Sequence, residues 1–317
     1  MLLPTIIRHA RSQTSASWRS SPWRAFSIAS DPSLVDFSVD DKNPHIGHLT
    51  LCSPHNYNAL TVESGKSFAK VVQHIIHDVL TEQDIRAIIL TGQGKAFSAG
   101  GNLDWLRSLH HNATHANADA MMAFYNDFLC IRQVPVPVIA AIQGPAMGAG
   151  AGLALACDLR VMDERCGKLG LHFTQLGIHT GMGASHFLQK AVQSSAALNE
   201  ILLNGKILSA QECREYGLLN RLCSQANTDD DNENGIETSK TTAEASYELA
   251  TELTQRHPVA LRLLVQTLRA QQDEGLALAL QREALAQALC YSRQDWGEGV
   301  NAIAEKRQPH FDGYHDK

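Results

Sequence analysis

Apolar and polar positions alternate along the chain in patterns that predict strands and helices. Residues 85–90 and 136–142 are continuous apolar runs rich in β-branched side chains, which is typical of buried strands. Residues 34–51 contain two further strand candidates around a Pro-His-Ile-Gly corner. From 61 to 80 the apolar residues recur close to helical spacing, which predicts an amphipathic helix, and residues 104–133 are helical with a polar middle.

The stretch from Pro135 to Asp158 changes character twice. Its apolar run ends at Ile142, a turn rich in Gly and Ala follows over residues 144–150, and the small residues 151–157 have helical character. The first four N–H groups of a helix have no partner inside it, and the helix dipole favours negative charge at that end. Because Gly and Ala leave room beside the backbone, this segment predicts a place where N–H groups meet an electronegative ligand.

A second corner of small residues lies upstream, over residues 97–103. It follows the predicted strand at 85–90 and precedes a helix-like run from 104 to 110. Two backbone corners that each present an N–H group are suited to hold the oxygen of a polarised carbonyl as it becomes an oxyanion. The two corners together therefore predict a site that stabilises negative charge on a carbonyl oxygen.

Composition narrows the class of protein. The chain has 317 residues, enough for one large domain or two smaller ones, with 44% hydrophobic and 19% charged residues, which fits a soluble globular enzyme. No apolar run is long enough to span a membrane, and a net charge of −6 gives no reason to expect nucleic-acid binding. The seven cysteines include no C-x-x-C pair, so a disulfide framework or a zinc site is not expected.

Residues 1–30 differ from the rest of the chain. They contain four arginines and seven serines but no Asp or Glu. This composition is typical of an organelle transit peptide, and it predicts import into the mitochondrial matrix. The alternative is a tail that is merely disordered.

Two polar segments are interpreted as solvated. Residues 223–246 are acidic and nearly free of large apolar side chains, which predicts an acidic low-complexity insertion between a core at 31–222 and a C-terminal helical region at 247–317. His110, His111 and His115 lie close together, but no carboxylate stands nearby at ligand spacing. A solvated loop is therefore favoured over a metal site, and no metal is expected.

Five segments, in order from about residue 45 to 311, are similar to the crotonase superfamily, also called the enoyl-CoA hydratase/isomerase family. The resemblance implies an α/β fold, a crotonase-like spiral of ββα repeats followed by a helical region through which members assemble as a homotrimer or a hexamer. The segments are Asn58-Ala-Leu60, KAFSAGGNL at 95–103, residues 142–158, LLNGKILSAQECREYGLLN at 202–220, and DWGEGVNAIAEKRQPHF at 295–311.

The resemblance also implies a substrate and its contacts. The substrate would be an acyl-CoA thioester, with no permanently bound cofactor, and the oxyanion donors would be the N–H groups of Gly101 and Ala149. Two further implied contacts, Lys95 and Lys306, could equally be solvated surface lysines. A third, Asn58, could simply cap a helix that begins at Ala59. The full set of remaining implied contacts to coenzyme A is Asn58, Lys95, Ala99, Gly148 and Lys306. Of these, Lys306 would reach the coenzyme A of a neighbouring subunit.

The catalytic acids of the family's hydratases and isomerases are missing. Gly152 and Phe173 occupy the two positions where the hydratase pattern has Glu, and Gly181 occupies an acid position of the dienoyl isomerases. None of these side chains can move a proton, which leaves His172 or His179 as the candidate base. If Phe173 points into the pocket, strand alternation would turn His172 away from it.

Three functions remain open from the sequence. The first is an acyl-CoA enzyme of the hydratase or isomerase kind, a lyase or isomerase of fatty acid metabolism, whose oxyanion hole stabilises a thioester enolate. The second is a histidine-dependent acyl-CoA hydrolase, decarboxylase or isomerase, because one oxyanion hole serves all of these reactions. The third is a homologue that binds acyl-CoA without turning it over, and the missing acids favour it.

Overall fold

The computed structural model describes residues 34–223 and 240–313. The predicted transit peptide at 1–30 and most of the predicted insertion at 223–246 lie outside these residues. No helix within the described ranges combines the length and the apolar character needed to cross a membrane.

The described chain alternates strands and helices, as the apolar runs predicted. The strands are β1 Val35–Val39, β2 Ile46–Leu51, β3 Ala87–Gly92, β4 Val138–Ile142, β5 Pro145–Met147, β6 Leu159–Asp163, β7 Lys168–Gly170, β8 Ile207–Ser209 and β9 Arg221–Cys223. The helices are α1 Val62–His74, α2 Leu80–Glu82, α3 Leu103–Ser108, α4 Thr114–Leu129, α5 Ala149–Ala156, α6 Ala184–Ala191, α7 Ser195–Leu203, α8 Ala210–Glu215, α9 Thr242–Thr254, α10 Pro258–Gln272, α11 Leu276–Tyr291 and α12 Gln294–Ala304.

The strands form two sheets between which the chain passes repeatedly. The larger sheet has the order β1-β2-β3-β4-β6-β9, and the smaller has the order β5-β7-β8. In the larger sheet β1 is antiparallel to β2 and the other pairs are parallel. From β4 the chain enters β5 and then α5, and from β6 it enters β7 and then α6. These β-β-α units match the spiral that the family resemblance implied.

The larger sheet is buried on both faces. Ile88 and Leu90 of β3 pack into the main core with the helices that lie on that face. Ile89, one residue along, points to the opposite face, where Ala250 of α9 belongs to the same apolar cluster. Side chains alternate across a strand, so a strand covered on both sides becomes the continuous apolar run seen at 85–90.

Helix α1 begins later than the sequence suggested. Its N-cap is Thr61, which forms a capping box with Ser64, so Asn58 does not cap it and Ala59 does not begin it. Leu60 instead bridges to the first small-residue corner, donating to Gly100 O at 2.7 Å and accepting from the Asn102 N–H at 2.8 Å. The helix continues through a π-helical turn at Ile75–Val79 into α2.

The predicted boundary of the acidic insertion also requires correction. Thr241 and Glu244 form a capping box at the start of α9, so the helix begins before residue 247. Ala245 and Ser246 are buried, because this turn of α9 packs against the larger sheet. The polar composition of this segment comes from its caps and its solvent face.

A buried arginine ties α10 to the core. Arg269 is 5% exposed and forms a two-point ion pair with Asp158, with N–O distances of 2.8 and 2.5 Å. Its guanidinium also donates to the carbonyl oxygens of Arg132, Val134 and Val136, just before β4. The segment between α4 and β4 and the segment between α5 and β6 are thereby fixed to one helix of the C-terminal region.

Candidate active site

The two small-residue corners lie against each other. Gly100 has φ +92°, in the left-handed region that favours glycine. A Cβ built on Gly100 would lie 2.5 Å from the carbonyl oxygen of Met147 and 3.5 Å from the nitrogen of Ala149. Only glycine therefore allows residues 97–103 to approach the start of α5 this closely.

Both corners present an amide without a partner. Gly148 precedes α5 with φ +50°, and its N–H donates to Gly170 O at 2.8 Å. Ala149 is the first residue of α5, a position whose N–H has no acceptor within the helix. Neither the Ala149 N–H nor the Gly101 N–H donates to any residue that the structure describes. Both amides are free to bind a ligand.

A cavity of about 190 Å³ is lined by both Gly101 and Ala149. Ala99 and Leu103 are exposed at its mouth, whereas Tyr125, Gln287 and Tyr291 line it and are at most 3% exposed. The wall between these ends is apolar, as expected for a site that receives a hydrocarbon group. It comprises Leu106, Met121, Phe124, Met147, Phe173, Leu176, Ile178 and Met182.

The closed end of the cavity holds a polar cluster. The Gln287 Nε2 group donates to the carbonyl oxygen of His179 at 2.8 Å. Because a carbonyl oxygen can only accept, this bond turns Gln287 Oε1 toward the two phenols. Tyr125 donates to Oε1 at 2.7 Å and Tyr291 donates to it at 3.0 Å. Burial raises the pKa of both phenols, so both stay protonated at neutral pH.

A buried carboxylate lies beside this cluster, on the same helix as Gln287. Glu283 is 1% exposed and accepts from the N–H groups of Gly183 and Ser185 at 2.7 and 3.0 Å. The hydroxyls of Ser185 and Thr180 donate to it at 2.5 and 3.2 Å. After burial and the neighbouring Tyr291, this carboxylate is a further cause of the raised pKa of Tyr125. Its bonds fix the start of α6 rather than opening into the cavity.

The structure shows what surrounds each position where an acid is missing. A Cβ on Gly152 would lie 2.8 Å from both the carbonyl oxygen and the Cβ of Met182, a fully buried residue with φ +59°. A Cβ on Gly181 would lie 2.6 Å from the Tyr125 hydroxyl and from Gln287 Nε2. Phe173 is 4% exposed and fills the cavity wall. At residues 152 and 181 neighbouring atoms occupy the space that a side chain would need, whereas at residue 173 an apolar ring stands in place of the acid.

His172 lines the cavity, which strand alternation had argued against. Strand β7 ends at Gly170, and Phe173 already has helical dihedrals at the start of a 3-10 turn, so the alternation does not apply and both side chains reach the cavity. The Nδ1 atom of His172 is buried and has no hydrogen-bond partner among the described residues. Burial lowers the pKa of His172 below its ordinary value of 6.5, and the Gly170 backbone beside the ring acts in the opposite direction.

His179, the other histidine that the sequence singled out, does not line the cavity. Its side chain is exposed, and its Nδ1 atom lies 2.9 Å from the carbonyl oxygen of Thr180. What reaches the cavity end is its backbone carbonyl, which holds Gln287 in place. Ile178, Gly181 and Met182 line the cavity, but the imidazole of His179 between them does not.

The predicted coenzyme A contacts lie in different settings. Asn58 is 2% exposed, accepts from the Ser53 N–H, and donates to the carbonyl oxygens of Gln93 and Ala96 at 2.9 and 2.8 Å, so its side chain holds the loop before the first corner. Ala99 and Gly148 line the cavity. Lys95 and Lys306 are exposed, and neither pairs with a described residue.

Tyr125, Gln287 and Tyr291 were not identified from the sequence. Tyr125 lies on α4, and the other two lie on α11. Tyr125 and Gln287 are 162 positions apart in the sequence, and no local motif links them. The sequence of α11 does contain polar residues at helical spacing among Leu and Ala. Only the structure shows that these polar residues lie on the buried side of the helix. Within the described ranges, no group of three or more His, Cys, Asp or Glu is arranged to hold a metal ion.

Comparison with known proteins agrees with this architecture. A Thermus thermophilus protein named putative enoyl-CoA hydratase is 33% identical over 273 residues, covering 86% of this chain and 100% of that protein. The mouse mitochondrial methylglutaconyl-CoA hydratase is 29% identical, covering 94% and 90%. The crystal structure of an enoyl-CoA hydratase from Mycobacterium avium subsp. paratuberculosis superimposes with a TM-score of 0.70 at 26% identity, covering 88% of this chain and 98% of that one.

The family model agrees with the individual relatives. The fold is the crotonase fold that the resemblance implied, since the solved neighbours are enoyl-CoA hydratases and the described chain is α/β with C-terminal helices. The family model described as enoyl-CoA hydratase/isomerase matches residues 41–314, which is most of the chain. The protein therefore belongs to the enoyl-CoA hydratase/isomerase family and is an enzyme of the hydratase and isomerase kind.

Proposed function

We propose that this enzyme binds an acyl-CoA thioester with its carbonyl oxygen between the N–H groups of Gly101 and Ala149. The observation that carries the proposal is the pair of unpartnered amides on facing corners, one of them at the start of a helix. Negative charge that develops on the thioester oxygen is stabilised by these donors, each worth about 3 kcal/mol of barrier height. The stabilised species is the enolate of the thioester.

His172 is the proposed proton carrier. Among the described residues it is the only imidazole that lines the cavity, and burial lowers its pKa, so it stays neutral and able to accept a proton at neutral pH. Hydration requires one group to activate water and another to protonate the α-carbon. One base instead suits a shift of a double bond: it removes a proton from the α-carbon of a 3-enoyl thioester and returns that proton to the γ-carbon, giving the 2-enoyl thioester. We therefore favour isomerase chemistry over hydration.

A second candidate is acyl-CoA binding without turnover. The packing of Met182 against Gly152, the position of Phe173, and the contacts that fill the space at Gly181 favour it, because each removes a place for a catalytic carboxylate. This alternative requires His172 to be catalytically silent.

Incubating the purified protein with a panel of acyl- and enoyl-CoA thioesters separates these functions. In ordinary water we expect 3-enoyl thioesters to be converted to 2-enoyl thioesters of unchanged mass. In deuterated water, NMR should detect deuterium incorporated at the α- and γ-carbons. A gain of water identified by mass spectrometry would contradict the isomerase branch in favour of a hydratase. Loss of carbon dioxide or release of free coenzyme A would assign a decarboxylase or a hydrolase. Binding without any product would establish the second candidate.

The nucleotide end of coenzyme A is proposed to lie outside the cavity mouth. Ala99 is exposed at that mouth, and the loop carrying Lys95 is held in place by the side chain of Asn58. A lysine ammonium beside a phosphate acts as a flexible point charge, which suits an exposed position. Lys306 would supply a second charge from a neighbouring subunit.

We propose that copies of the chain assemble through the C-terminal helices as a homotrimer or a hexamer. Leucines at helical spacing are about half exposed on α10 and α11, an unusual amount of exposed apolar surface for a monomer. Light scattering coupled to size-exclusion chromatography tests this, and replacing Leu264 and Leu285 with Glu should yield monomers. The leucines concerned are Leu263, Leu264, Leu268, Leu278, Leu285 and Leu289.

We propose that the protein is imported into the mitochondrial matrix. The basic, serine-rich and acid-free composition of residues 1–30 supports this, and so does the mitochondrial designation of the mouse relative. Fusing residues 1–33 to a fluorescent protein tests the proposal. Import with cleavage of the segment is expected, and a fusion that stays in the cytosol would contradict it.

A further inference from the structure

The closed end of the cavity is more polar than an alkyl chain requires. Its wall is otherwise apolar, yet Tyr125, Gln287 and Tyr291 bring two phenol oxygens and one amide to the same place. Each is at most 3% exposed. A hydrocarbon end packed against these groups would make no use of their remaining hydrogen-bonding capacity.

The hydrogen bonds show which capacity remains. Gln287 Nε2 donates one of its two hydrogens to the His179 carbonyl oxygen, and the second hydrogen remains available to donate. The hydroxyl hydrogens of Tyr125 and Tyr291 are both directed to Gln287 Oε1. The Tyr125 oxygen also interacts with the Met182 backbone N–H, whereas the Tyr291 oxygen keeps a lone pair that can accept. The cluster therefore offers one acceptor, on Tyr291, together with one donor, on Gln287. A hydroxyl group, which donates once and accepts, complements it; a methyl group satisfies neither function.

The local charge argues against a carboxylate at this end. No Lys or Arg lines the cavity, and burial lowers the pKa of His172, the one imidazole there. The Glu283 carboxyl group lies close enough to act on Tyr125 electrostatically. A second anion brought here would be buried without a cation and near an existing carboxylate, which is strongly unfavourable.

We propose that Tyr125, Gln287 and Tyr291 determine specificity at the closed end of the acyl cavity, selecting a short, uncharged acyl group that carries a hydroxyl. This inference rests on the proposed function, because it takes the acyl group of a thioester to occupy the cavity. It adds the chemical class of that acyl group. The three residues do not act on the reacting carbons; they recognise the other end of the same ligand.

A purely structural role is the competing explanation. The same bonds join α4 to α11, and they could exist only to hold these helices together. A structural cluster would affect every ligand equally when altered. A recognition cluster would affect only ligands that carry the hydroxyl, so the two roles separate by comparing ligands rather than variants alone.

The test is calorimetric binding of saturated thioesters, which cannot undergo double-bond chemistry. Butanoyl-, pentanoyl- and hexanoyl-CoA are compared with the analogues of equal length that end in a hydroxyl or a carboxylate. At the matching length we expect the hydroxyl compound to bind at least about tenfold more tightly than the methyl compound. The carboxylate compound is expected to bind the most weakly of the three.

Tyr291→Phe removes one phenol oxygen and keeps the ring. It should reduce the preference for the hydroxyl compound to about twofold or less while the affinity for the methyl compound stays within about twofold. Tyr125→Phe provides a second variant should the first fail to fold. Tyr216→Phe is the control, since Tyr216 is half-buried and does not line the cavity, and it should leave the preference unchanged.

Each outcome decides the question. Equal binding of methyl and hydroxyl compounds by the unaltered protein would overturn the inference while leaving acyl-CoA binding intact. A uniform loss across all ligands in Tyr291→Phe would assign the cluster a structural role and also overturn it. If no thioester binds at all, the proposed function itself fails, together with this inference.

Discussion

The mouth side of the cavity is built from backbone, whereas its closed end is built from side chains. The backbone side consists of Gly101 and Ala149, whose N–H groups are positioned by glycine dihedrals and by the start of α5. The closed end consists of Tyr125, Gln287 and Tyr291, which come from two distant helices. Backbone donors can stabilise the same charge whatever side chains surround them. In the proposed function, the backbone side would stabilise charge on the thioester oxygen and the closed end would select the acyl group.

Replacing His172 tests the proposed base between these two sides and should have the largest effect. His172→Gln is expected to lower kcat by roughly 10²- to 10⁴-fold, the usual contribution of a general base. Because burial lowers the pKa of His172, the neutral, active form should persist below pH 6.5, and kcat/KM should fall only as the pH drops through that lowered value.

The matched histidine for this experiment is His179, whose exposed side chain does not line the cavity. His179→Gln should keep both the rate and the acidic limb of the pH profile. A His172→Gln enzyme that retained full activity would exclude His172 as the base. An acidic limb centred above pH 6.5 in the unaltered enzyme would assign the limb to another group.

Deleting one backbone donor tests the mouth side alone. Ala149→Pro removes the N–H at the first position of α5, where proline suits helix geometry, and should lower kcat by roughly 10²- to 10³-fold. Ser195→Pro makes the same change at the exposed first position of α7 and should leave kcat unaltered. Equal rates in the two variants, measured with the thioester that the panel identifies, would remove the Ala149 amide from the mechanism.

Two helical glycines test whether the missing acid position is filled by packing. Gly152→Ala places a Cβ 2.8 Å from the backbone oxygen of Met182 and should destabilise the fold by about 1–3 kcal/mol. Gly297→Ala in α12 meets no atom within 4 Å and should stabilise it by about 0.5–1 kcal/mol. Urea unfolding measures both. Equal changes of the same sign would show that the contact with Met182 relaxes freely.

The smallest effect is expected outside the mouth, at Lys95. Lys95→Ala should raise KM by roughly two- to fivefold without changing kcat, because an exposed charge beside a phosphate contributes little and acts on ground state and transition state alike. Lys70→Ala removes another exposed lysine and serves as the control. The difference should vanish at high salt, and a change in kcat instead of KM would contradict the assignment.

The same division explains how far the sequence could be interpreted. Residues that act through the backbone leave local signals, so the corners at 97–103 and 144–150 and the buried strands were predicted from glycine spacing and apolar runs. Family resemblance supplied Gly101 and Ala149. The fold was confirmed by solved relatives, and the assignment of oxyanion donors stays a prediction.

Side chains that meet from distant elements leave no such signal. Tyr125 and Gln287 are brought together only by the packing of α4 on α11, and neither helix reveals its partner. Strand alternation would turn His172 away from the cavity only if β7 continued to residue 173. Because β7 ends at Gly170, the alternation does not apply to His172. For His179 the sequence suggested a base, but whether its imidazole or its carbonyl faces inward is decided by backbone dihedrals that the sequence does not show.

The hydrogen bonds and ion pair of Arg269 bear on whether the protein can fold from two separate polypeptides. Arg269 follows residues 224–239, while the carbonyls and the carboxylate that it binds all precede them, and Glu283 and Gln287 likewise bind residues from the earlier stretch. Two separately expressed polypeptides, divided within that interval, should therefore complement each other and co-purify as an active pair. Arg269→Met should abolish this reassembly while the undivided protein, whose halves remain tethered, still folds.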